Sequence, residues 1–386
     1  MKRRIFKIIK SIGLAIIAFI ILFFVVRAVG VGINRRTPKD GINKSMYVDI
    51  NGTKQWINIY GENINNPVLL YLHGGPGSST SDIDYVITRK WADVYTVVTW
   101  DQRNCGKSYD AGQNETELTR DMFLEDGKEM TEFIRNYLSV DQITILGHSW
   151  GSIYGANLVL EYPEYYECFI GTGQLVDSID NEKAFKEEAM SWAGGDDEAL
   201  ELVRQLTPES MTMNHILARN ALMEKYGYNM MKDGSDYNLI TTIIFNPNYS
   251  IVDWAKYFSR DMSVYLAFFQ SEEFQSFSLK GRLEYTVPYY NINGNMDYQT
   301  NYKLAGEYFD SIDAPYKELF IMENTTHGLL ESKSEEFSKI VHKIASGRAY
   351  HSAYSLLFSP QTHSWSKTSI RDFPLSLNLY STFGGI

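Results

Sequence analysis

Three residues with the chemistry of a nucleophilic hydrolase follow one another along this chain. Ser149 stands between Gly147 and Gly151 in the stretch LGHSWGS. A serine hydroxyl that attacks a carbonyl needs a base, and the base needs a carboxylate that orients it. We predict that His327 is the base and Asp297 the carboxylate, because each follows an apolar run that is typical of a buried strand. The expected chemistry is attack of the serine oxygen on a carbonyl carbon.

The carboxylate partner of His327 has a second candidate. Glu323 lies four residues before His327, whereas Asp297 follows the preceding strand-like run, VPYYNING. Residues at the carboxyl ends of parallel strands meet at one edge of the sheet, where ligands bind. The order Ser, Asp, His on successive strand ends therefore favours Asp297, and Glu323 is the alternative.

The segment HGGPG, residues 73–77, supplies the remaining requirement of such a reaction. Backbone N–H groups must stabilise the negative charge that develops on the carbonyl oxygen during attack. We expect Gly75 and Trp150, the residue after the nucleophile, to donate these N–H groups. The alternative is that Pro76 and the surrounding glycines form only a tight turn.

The elements that must position these residues alternate between strands and helices. Apolar runs at 67–74 and 142–149 predict strands buried on both faces, and 117–138 has apolar residues at helical spacing. This alternation predicts an α/β fold with a mostly parallel, doubly wound sheet. It stops near Val176 and resumes near Tyr285, and the sequence between them is mostly helical and rich in Met and aromatic residues. We interpret that segment as a helical cap inserted into the sheet domain.

The N-terminal segment has the composition of a membrane anchor. Residues 11–26 carry no charge, and the apolar stretch continues to Ile33 if Arg27 extends toward the membrane surface. As a helix, 11–33 would span about 34 Å, enough for a hydrocarbon core of ~30 Å. The basic residues before it predict a cytoplasmic N-terminus and a catalytic domain outside. The alternatives are a signal peptide cleaved near 28–30, which would give a secreted protein, and a buried helix.

Charge and composition exclude several classes of partner. Nine of the 36 basic residues lie in 1–39, which leaves 27 basic against 47 acidic residues in the remainder, a net charge of −20. Nucleic acids are bound through basic residues that neutralise phosphates, so we expect no nucleic-acid partner. Cys105, Cys168 and seven scattered histidines have no spacing typical of a metal site. We therefore expect no metal and no cofactor.

These patterns divide the 386 residues into seven segments. In chain order we predict a basic cytoplasmic arm (1–10), a transmembrane anchor (11–33), a linker (34–44), the first part of the sheet domain (45–175), the helical cap (176–284), the second part of the sheet domain (285–344) and a tail (345–386). The tail is rich in serine and has no sustained apolar period, so we expect it to be disordered.

Five motifs in this order give the chain a resemblance to a known family. HGGPG, DQRNCGKS, GHSWGS, GNMD and THG resemble the proline iminopeptidase family of α/β-hydrolases, serine aminopeptidases that remove N-terminal residues. The resemblance covers about 45–344. It implies the α/β-hydrolase fold, the serine triad named above and an oxyanion hole in HGGPG. It also implies that DQR is structural, with Asp101 and Arg103 as a buried pair.

The chain departs from that family in two places. Asn104 stands where members usually have glycine, and asparagine tolerates left-handed geometry. We find no Trp-Glu segment of the kind typical of proline-selective members in the cap. In that family, cap glutamates bind the α-ammonium group of the substrate. Glu187, Glu188 and Glu224 are the candidates for this role here, and a solvated helix face is the alternative for each.

The sequence therefore predicts a membrane-anchored serine hydrolase that releases N-terminal residues from short peptides through an acyl-enzyme. A carboxylesterase or amide hydrolase with the same triad is the first alternative, because the sheet domain does not separate the two. A non-catalytic surface binding module on the same fold is the second. The expected partners are a short peptide or another small amide or ester, and the membrane. The preferred N-terminal residue and the oligomeric state stay open.

Overall fold

An eight-stranded sheet forms the core of the computed structural model, which describes residues 2–358. Its order is β1-β2-β4-β3-β5-β6-β7-β8, with strands β1 Ile42–Ile50, β2 Thr53–Gly61, β3 Val68–Leu72, β4 Thr96–Asp101, β5 Ile143–His148, β6 Tyr166–Thr172, β7 Tyr289–Gly294 and β8 Lys317–Met322. β1 pairs antiparallel with β2, and β2 with β4. All other neighbouring strands are parallel. The predicted α/β fold with a mostly parallel sheet is confirmed.

Helices cover the sheet and fill the long connection between β6 and β7. Over the described residues they are α1 Lys2–Asn34, α2 Asp84–Ile87, α3 Arg120–Leu138, α4 Trp150–Glu161, α5 Ser178–Ala193, α6 Asp197–Arg204, α7 Met213–Tyr226, α8 Leu239–Phe245, α9 Ile251–Ser259, α10 Ser263–Phe269, α11 Glu272–Gln275, α12 Tyr302–Ser311, α13 Leu329–Ser332 and α14 Ser334–Phe358.

Both faces of the sheet are apolar, because parallel strands buried on two sides need apolar residues at every position. The alternation of side chains along β3 shows this directly. Leu70 and Leu72 enter one cluster, which includes Phe123 of α3. Leu69 enters the other cluster, which includes Phe337 of α14. The continuous apolar run that predicted β3 thus serves two separate cores.

The segment between β6 and β7 is an insertion of seven helices, α5 to α11. Helices α5, α6 and α7 have a small apolar core of their own, which includes Phe185, Val203 and Leu222. The two ends of the insertion meet, since the N–H group of Leu279 donates to the carbonyl of Val176 at 2.9 Å. The sheet therefore continues from β6 to β7 without interruption. The residue boundaries predicted for the cap stay a prediction.

The N-terminal helix α1 is long and apolar enough to cross a membrane. It begins at Lys2, so the structure extends the helix through the segment predicted as a separate basic arm. From Arg3 to Val26 its residues are exposed, apart from the half-buried Gly13, and hydrogen bonds with the rest of the protein begin at Arg27. β1 begins at Ile42, inside the segment predicted as a linker. Strand pairing with β2 from Ile42 onward explains that difference.

The C-terminal helix corrects the prediction for the tail. The chain divides into two units, Met1–Ala345 and Ser346–Ile386. α14 continues past Ala345 to Phe358, so this part of the predicted disordered tail is helical. No proline occurs between Ser334 and Pro360, so a helix that begins at Ser334 can propagate to this point. The rest of the predicted tail, 359–386, lies outside the described residues.

Candidate active site

Ser149 occupies the sharp turn between β5 and α4, at the carboxyl edge of the sheet. Its backbone has φ +57° and ψ −121°, and its N–H group donates to the carbonyl of Thr172 at 3.0 Å. A Cβ on Gly147 would lie 2.0 Å from the carbonyl oxygen of Gly151. A Cβ on Gly151 would lie 2.1 Å from the carbonyl oxygen of Leu72. The turn therefore requires both glycines, and it holds the serine in a conformation that L-residues rarely adopt.

A buried histidine–carboxylate pair lies at the same edge. The Nδ1 atom of His327 is 2.7 Å from Oδ2 of Asp297, and both side chains are buried. These residues follow β8 and β7, which are adjacent and parallel. The other carboxylate oxygen of Asp297 accepts the backbone N–H groups of Gln299 at 2.9 Å and Thr300 at 3.0 Å. These bonds fix the carboxylate before any substrate arrives.

Glu323, the alternative partner of His327, takes no part in this pair. Its side chain is exposed and accepts a hydrogen bond from Asn295. The backbone beside the pair leaves room only for glycine, because a Cβ on Gly173 would lie 3.0 Å from Cε1 of His327. The observed geometry thus favours Asp297, as the strand-end argument predicts.

A second histidine, His148, stacks on the first. The ring centroids of His148 and His327 are 4.7 Å apart with an interplanar angle of 33°. Burial, together with the nearby His327, holds the pKa of His148 well below its usual value. The imidazole of His148 is therefore neutral at neutral pH. The ring that stacks on His327 therefore carries no positive charge that would oppose protonation of His327.

The residues predicted for the oxyanion hole lie together beside the serine. A Cβ on Gly74 would be 3.2 Å from Cβ of Ser149, so the HGGPG loop passes directly over the nucleophile. Gly75 and Trp150 line one small pocket with Ser149. Trp150 is the first residue of α4. Its N–H group is one of the helix-terminal donors that lack a partner within the helix. The indole Nε1 donates to Oε1 of Gln102 at 2.9 Å and so fixes the ring.

The segment DQR supports this loop differently from the expectation. Arg103 forms a two-point ion pair with Asp126 of α3, at 2.6 and 2.7 Å. Asp101 instead accepts the backbone N–H group of Thr80 at 3.0 Å. The predicted pair of Asp101 and Arg103 is therefore wrong, because the two side chains serve different neighbours. Asn104 does adopt the left-handed geometry expected there, with φ +54°.

A cavity of about 500 Å³ opens beside Ser149 and His327. The strand-edge loops form one side, and the inserted helices contribute Met223, Glu224 and Tyr257. Its volume is typical of a site for a small molecule. Its most distinctive feature is four carboxyl groups, and none of the described residues lining it is lysine or arginine; the acidic residues are Asp82, Asp84, Glu224 and Glu331.

Three of these carboxyls lie where burial opposes ionisation. Burial, with a further contribution from Asp101, raises the pKa of Asp82 to about 6. Burial raises the pKa of Asp84 to about 7, although Thr99 donates a hydrogen bond that opposes the shift. Burial likewise raises the pKa of Glu331, which is 7% exposed. The Oε2 atom of Glu331 has no hydrogen-bond partner within the described part of the chain. A cation entering the cavity would favour the ionised form of each group.

The three glutamates predicted from the cap separate into two groups. Glu224 lines the cavity and accepts a hydrogen bond from Asn229. Glu187 is exposed, and Glu188 pairs with Lys303. Neither of the last two lines the cavity. The alternative of a solvated helix face describes their positions better than a role in binding.

Sequence reasoning missed Asp82, Asp84 and Glu331. A signal was present, because Asp82 and Asp84 follow the HGGPG loop closely and Glu331 comes four residues after His327. Residues just beyond the carboxyl ends of strands are well placed to line a ligand site. What the spacing could not indicate is that these carboxyls are withdrawn from water.

Comparisons with known proteins show the family and the fold of this chain. A family model described as the alpha/beta hydrolase fold matches residues 67–333. The probable aminopeptidase YbaC of Bacillus subtilis (strain 168) is 25% identical over 290 residues, which cover 72% of this chain and 89% of that protein. The proline iminopeptidase of Heyndrickxia coagulans is 34% identical over 117 residues, 30% of this chain and 38% of that protein.

A solved structure extends the comparison to the whole fold. The crystal structure of a proline iminopeptidase from Mycobacterium smegmatis matches with a TM-score of 0.57 and 19% identity. The match covers 80% of this chain and 100% of that one. At this identity the likeness concerns the fold alone.

Proposed function

This chain belongs to the alpha/beta hydrolase family, and from that premise we propose that it is a serine hydrolase with Ser149 as nucleophile, His327 as base and Asp297 as the orienting carboxylate. The observation that carries the proposal is the contact of 2.7 Å between His327 and Asp297 at the edge of the cavity that Ser149 also lines. Ser149 and His327 line the same cavity, and His327 contacts Asp297, which supports the roles of nucleophile, base and orienting carboxylate that acyl transfer uses.

The reaction follows from these positions. Asp297 holds the proton of His327 on Nδ1, which leaves Nε2 free to accept the hydroxyl proton of Ser149 as its oxygen attacks the carbonyl carbon. The N–H groups of Gly75 and Trp150 donate to the resulting oxyanion. His327 then gives its proton to the leaving group, and the acyl group stays on the serine. A water molecule, deprotonated by the same histidine, releases the acid and restores the hydroxyl.

We infer that the substrate is a short peptide with a free N-terminus. The cavity beside Ser149 contains four carboxyls and no lysine or arginine among its described lining residues, so it favours a positively charged group. The α-ammonium of a peptide places such a charge close to the first carbonyl carbon. Glu331 is the best placed partner, because its buried Oε2 atom has no hydrogen-bond partner within 2–358. The relatives named aminopeptidase and proline iminopeptidase support the same class.

We also propose that α1 retains the enzyme in the membrane with the catalytic domain outside. The apolar residues of this helix are exposed as far as Val26, as lipid-facing residues must be. Basic residues precede them, which favours a cytoplasmic N-terminus. Beyond Val26, Arg27 donates to the carbonyl of Tyr249 at 2.6 Å, and Asn34 donates to the carbonyl of Phe245 at 2.9 Å. These contacts support an anchor that stays attached rather than a segment that is removed.

The test compares three substrates on the purified full chain. We expect turnover of a proline arylamide, no turnover of its N-acetylated form, and loss of activity in Ser149→Ala. A fluorophosphonate should label the protein and Ser191→Ala, which removes an exposed serine of α5, but not Ser149→Ala. Turnover of an acetyl ester alone would make the protein a carboxylesterase. Absence of labelling would overturn the triad and favour a non-catalytic binding module.

A further inference from the structure

Helix α9 has two faces of opposite character. Trp254 and Tyr257 are half-buried against the rest of the protein, whereas Ile251, Val252 and Phe258 are 53%, 64% and 70% exposed. The exposed apolar positions recur at the spacing of one helical face. A surface helix of a soluble domain normally presents its polar side to water, so this orientation is reversed.

Helix α8 also exposes apolar residues. Leu239 and Ile240, its first two residues, are 57% and 69% exposed. We call these two residues and the three exposed apolar residues of α9 the juxtamembrane patch. Grouped apolar side chains of this size at a surface indicate a contact with another apolar phase or molecule.

The juxtamembrane patch adjoins the end of α1. α8 lies against α1, and the ring of Phe245 fills the space over Gly30, where a Cβ would be 2.3 Å from Cδ1 of that ring. Arg27 donates to the carbonyl of Tyr249, and Arg35 donates to the carbonyl of Pro247 at 2.9 and 2.6 Å. The short segment that joins α8 to α9 is therefore fastened to α1 over its last two turns.

The length of α1 sets the depth of these contacts. The uncharged residues 11–26 span about 24 Å as a helix, which is less than the ~30 Å of a hydrocarbon core. The next residue, Arg27, already contacts the protein body. The part of the body that surrounds Arg27 must then lie at the boundary of the hydrocarbon. An apolar surface is stable at that depth, whereas a polar one is not.

The charges around the patch agree with this placement. The protein beyond residue 39 carries a net charge of −20. On or next to α9, Lys256 and Arg260 balance Asp253, which pairs with Lys107, and Asp261. The exposed Arg36 and Lys39 follow α1 and add positive charge there. Basic residues next to an apolar surface are attracted to anionic headgroups. The acidic remainder of the protein would be repelled by them.

We propose that the juxtamembrane patch docks into the interface of the lipid bilayer that holds α1. This inference rests on the membrane anchoring proposed above and not on the peptidase activity. Lipid is the occupant because α8, which carries part of the patch, lies against α1, whose own exposed apolar residues are proposed to face the bilayer. α9 then separates the bilayer from the cavity, since the hydroxyl of Tyr257 on its inner side donates to Asp82 at 3.1 Å.

The experiment places a fluorescent label at single positions of the full chain in lipid nanodiscs that hold one copy each. Cys105 and Cys168 are buried, so an introduced surface cysteine can be labelled selectively. Labels on Val252→Cys and Phe258→Cys should be quenched strongly by lipids that carry a quencher near the headgroup. The matched control is Asp310→Cys, at an exposed position of α12, where quenching should be absent.

A fourth label separates this inference from the anchoring itself. Phe19→Cys lies on the exposed surface of α1 and should be quenched by lipids carrying the quencher deep in the acyl chain. Quenching at position 19 without quenching at 252 and 258 would overturn the docking and leave the anchor intact. Absence of quenching at 19 would overturn both. If the labels at 252 and 258 are shielded from water only when two copies share a nanodisc, the patch is a dimer contact, and the proposal is overturned.

Discussion

The carboxyl edge of the sheet and the inserted helices contribute to one cavity in different ways. Ser149 follows β5 directly, whereas Asp297 and His327 lie in the loops after β7 and β8. Glycines or backbone hydrogen bonds fix their positions. The inserted helices contribute single side chains, such as Glu224 and Tyr257, from separate elements. Backbone geometry thus fixes the proposed reacting groups at the sheet edge. The insertion shapes the cavity mainly through side chains, although the carbonyl of Met230 also accepts the N–H group of Gly328 at 3.0 Å. Changes to the reacting groups should affect kcat. Changes to the carboxyls that line the cavity should affect KM, whether they lie on the insertion, as Glu224 does, or near the strand ends, as Asp82, Asp84 and Glu331 do.

The largest effect is expected at the nucleophile. Ser149→Ala should lower kcat by on the order of 10⁶-fold, as removal of a catalytic serine does elsewhere. Stopped-time product assays on the free-amine arylamide would measure it, with Ser191→Ala as the control that should keep full activity. A residual rate within tenfold of the parent protein would mean that the sheet edge does not carry the chemistry.

The second largest effect is expected at Asp297, the proposed orienting carboxylate. Asp297→Asn keeps the size of the side chain but removes the acceptor that holds the proton on Nδ1 of His327, and we expect kcat to fall by about 10⁴-fold. KM should change little, since the cavity is untouched. Glu323→Gln is the matched control and should leave kcat unchanged, because Glu323 does not contact His327. An equal loss of kcat in both variants would contradict the assignment of Asp297 as the carboxylate that orients His327.

The carboxyls of the cavity should act on binding. Glu331→Gln removes a charge-assisted hydrogen bond to the substrate ammonium worth ~1.5–3 kcal/mol, so KM should rise roughly 10- to 100-fold. Steady-state kinetics on the free-amine arylamide measure this, and Glu187→Gln, outside the cavity, should give parent values. A fall in kcat at unchanged KM would mean that Glu331 takes part in the chemical step and not in substrate binding.

The smallest effect concerns pH. Asp84 and Asp82 have pKa values of about 7 and about 6, raised mainly by burial, so both lose negative charge as the pH falls from 8 to 6. Binding of a cationic substrate favours their ionised forms, so KM should rise a few-fold over that range. Asp84→Asn should flatten the rise near pH 7. An equal rise in KM for a neutral ester would attribute the dependence to another group.

The contrast between the two regions also explains how far the sequence could be interpreted. Strand ends are marked by apolar runs, and Gly147 and Gly151 mark the turn at Ser149. Spacing could therefore predict the turn at Ser149, the contact of His327 with Asp297 and the approach of the HGGPG loop to Ser149. The pair of Arg103 and Asp126 could not, because Asp126 lies on α3 and nothing in DQR indicates that helix. The choice between Glu224 and Glu187 depends on how the inserted helices are rotated, which their weak apolar periodicity does not determine.

The sequence could not identify the buried carboxyls of the cavity, for a different reason. Asp82, Asp84 and Glu331 have the same side chains as the solvated acids of the surface, and only the fold decides which of them lose contact with water. An acidic residue close to a strand end is therefore a necessary but insufficient signal. The three-dimensional structure adds the burial that makes such a residue a candidate for binding a cation.

The contact between Leu279 and Val176, which brings the two ends of the insertion together, has an evolutionary consequence. The sheet on either side does not depend on what lies between these residues for its own pairing. A lineage could lengthen, shorten or exchange the inserted helices and inherit the acyl-transfer chemistry unchanged. Proteins descended from one ancestral gene would then differ in substrate while catalysing the same reaction. The sheet domain, which such proteins share, would be the part that indicates least about the substrate.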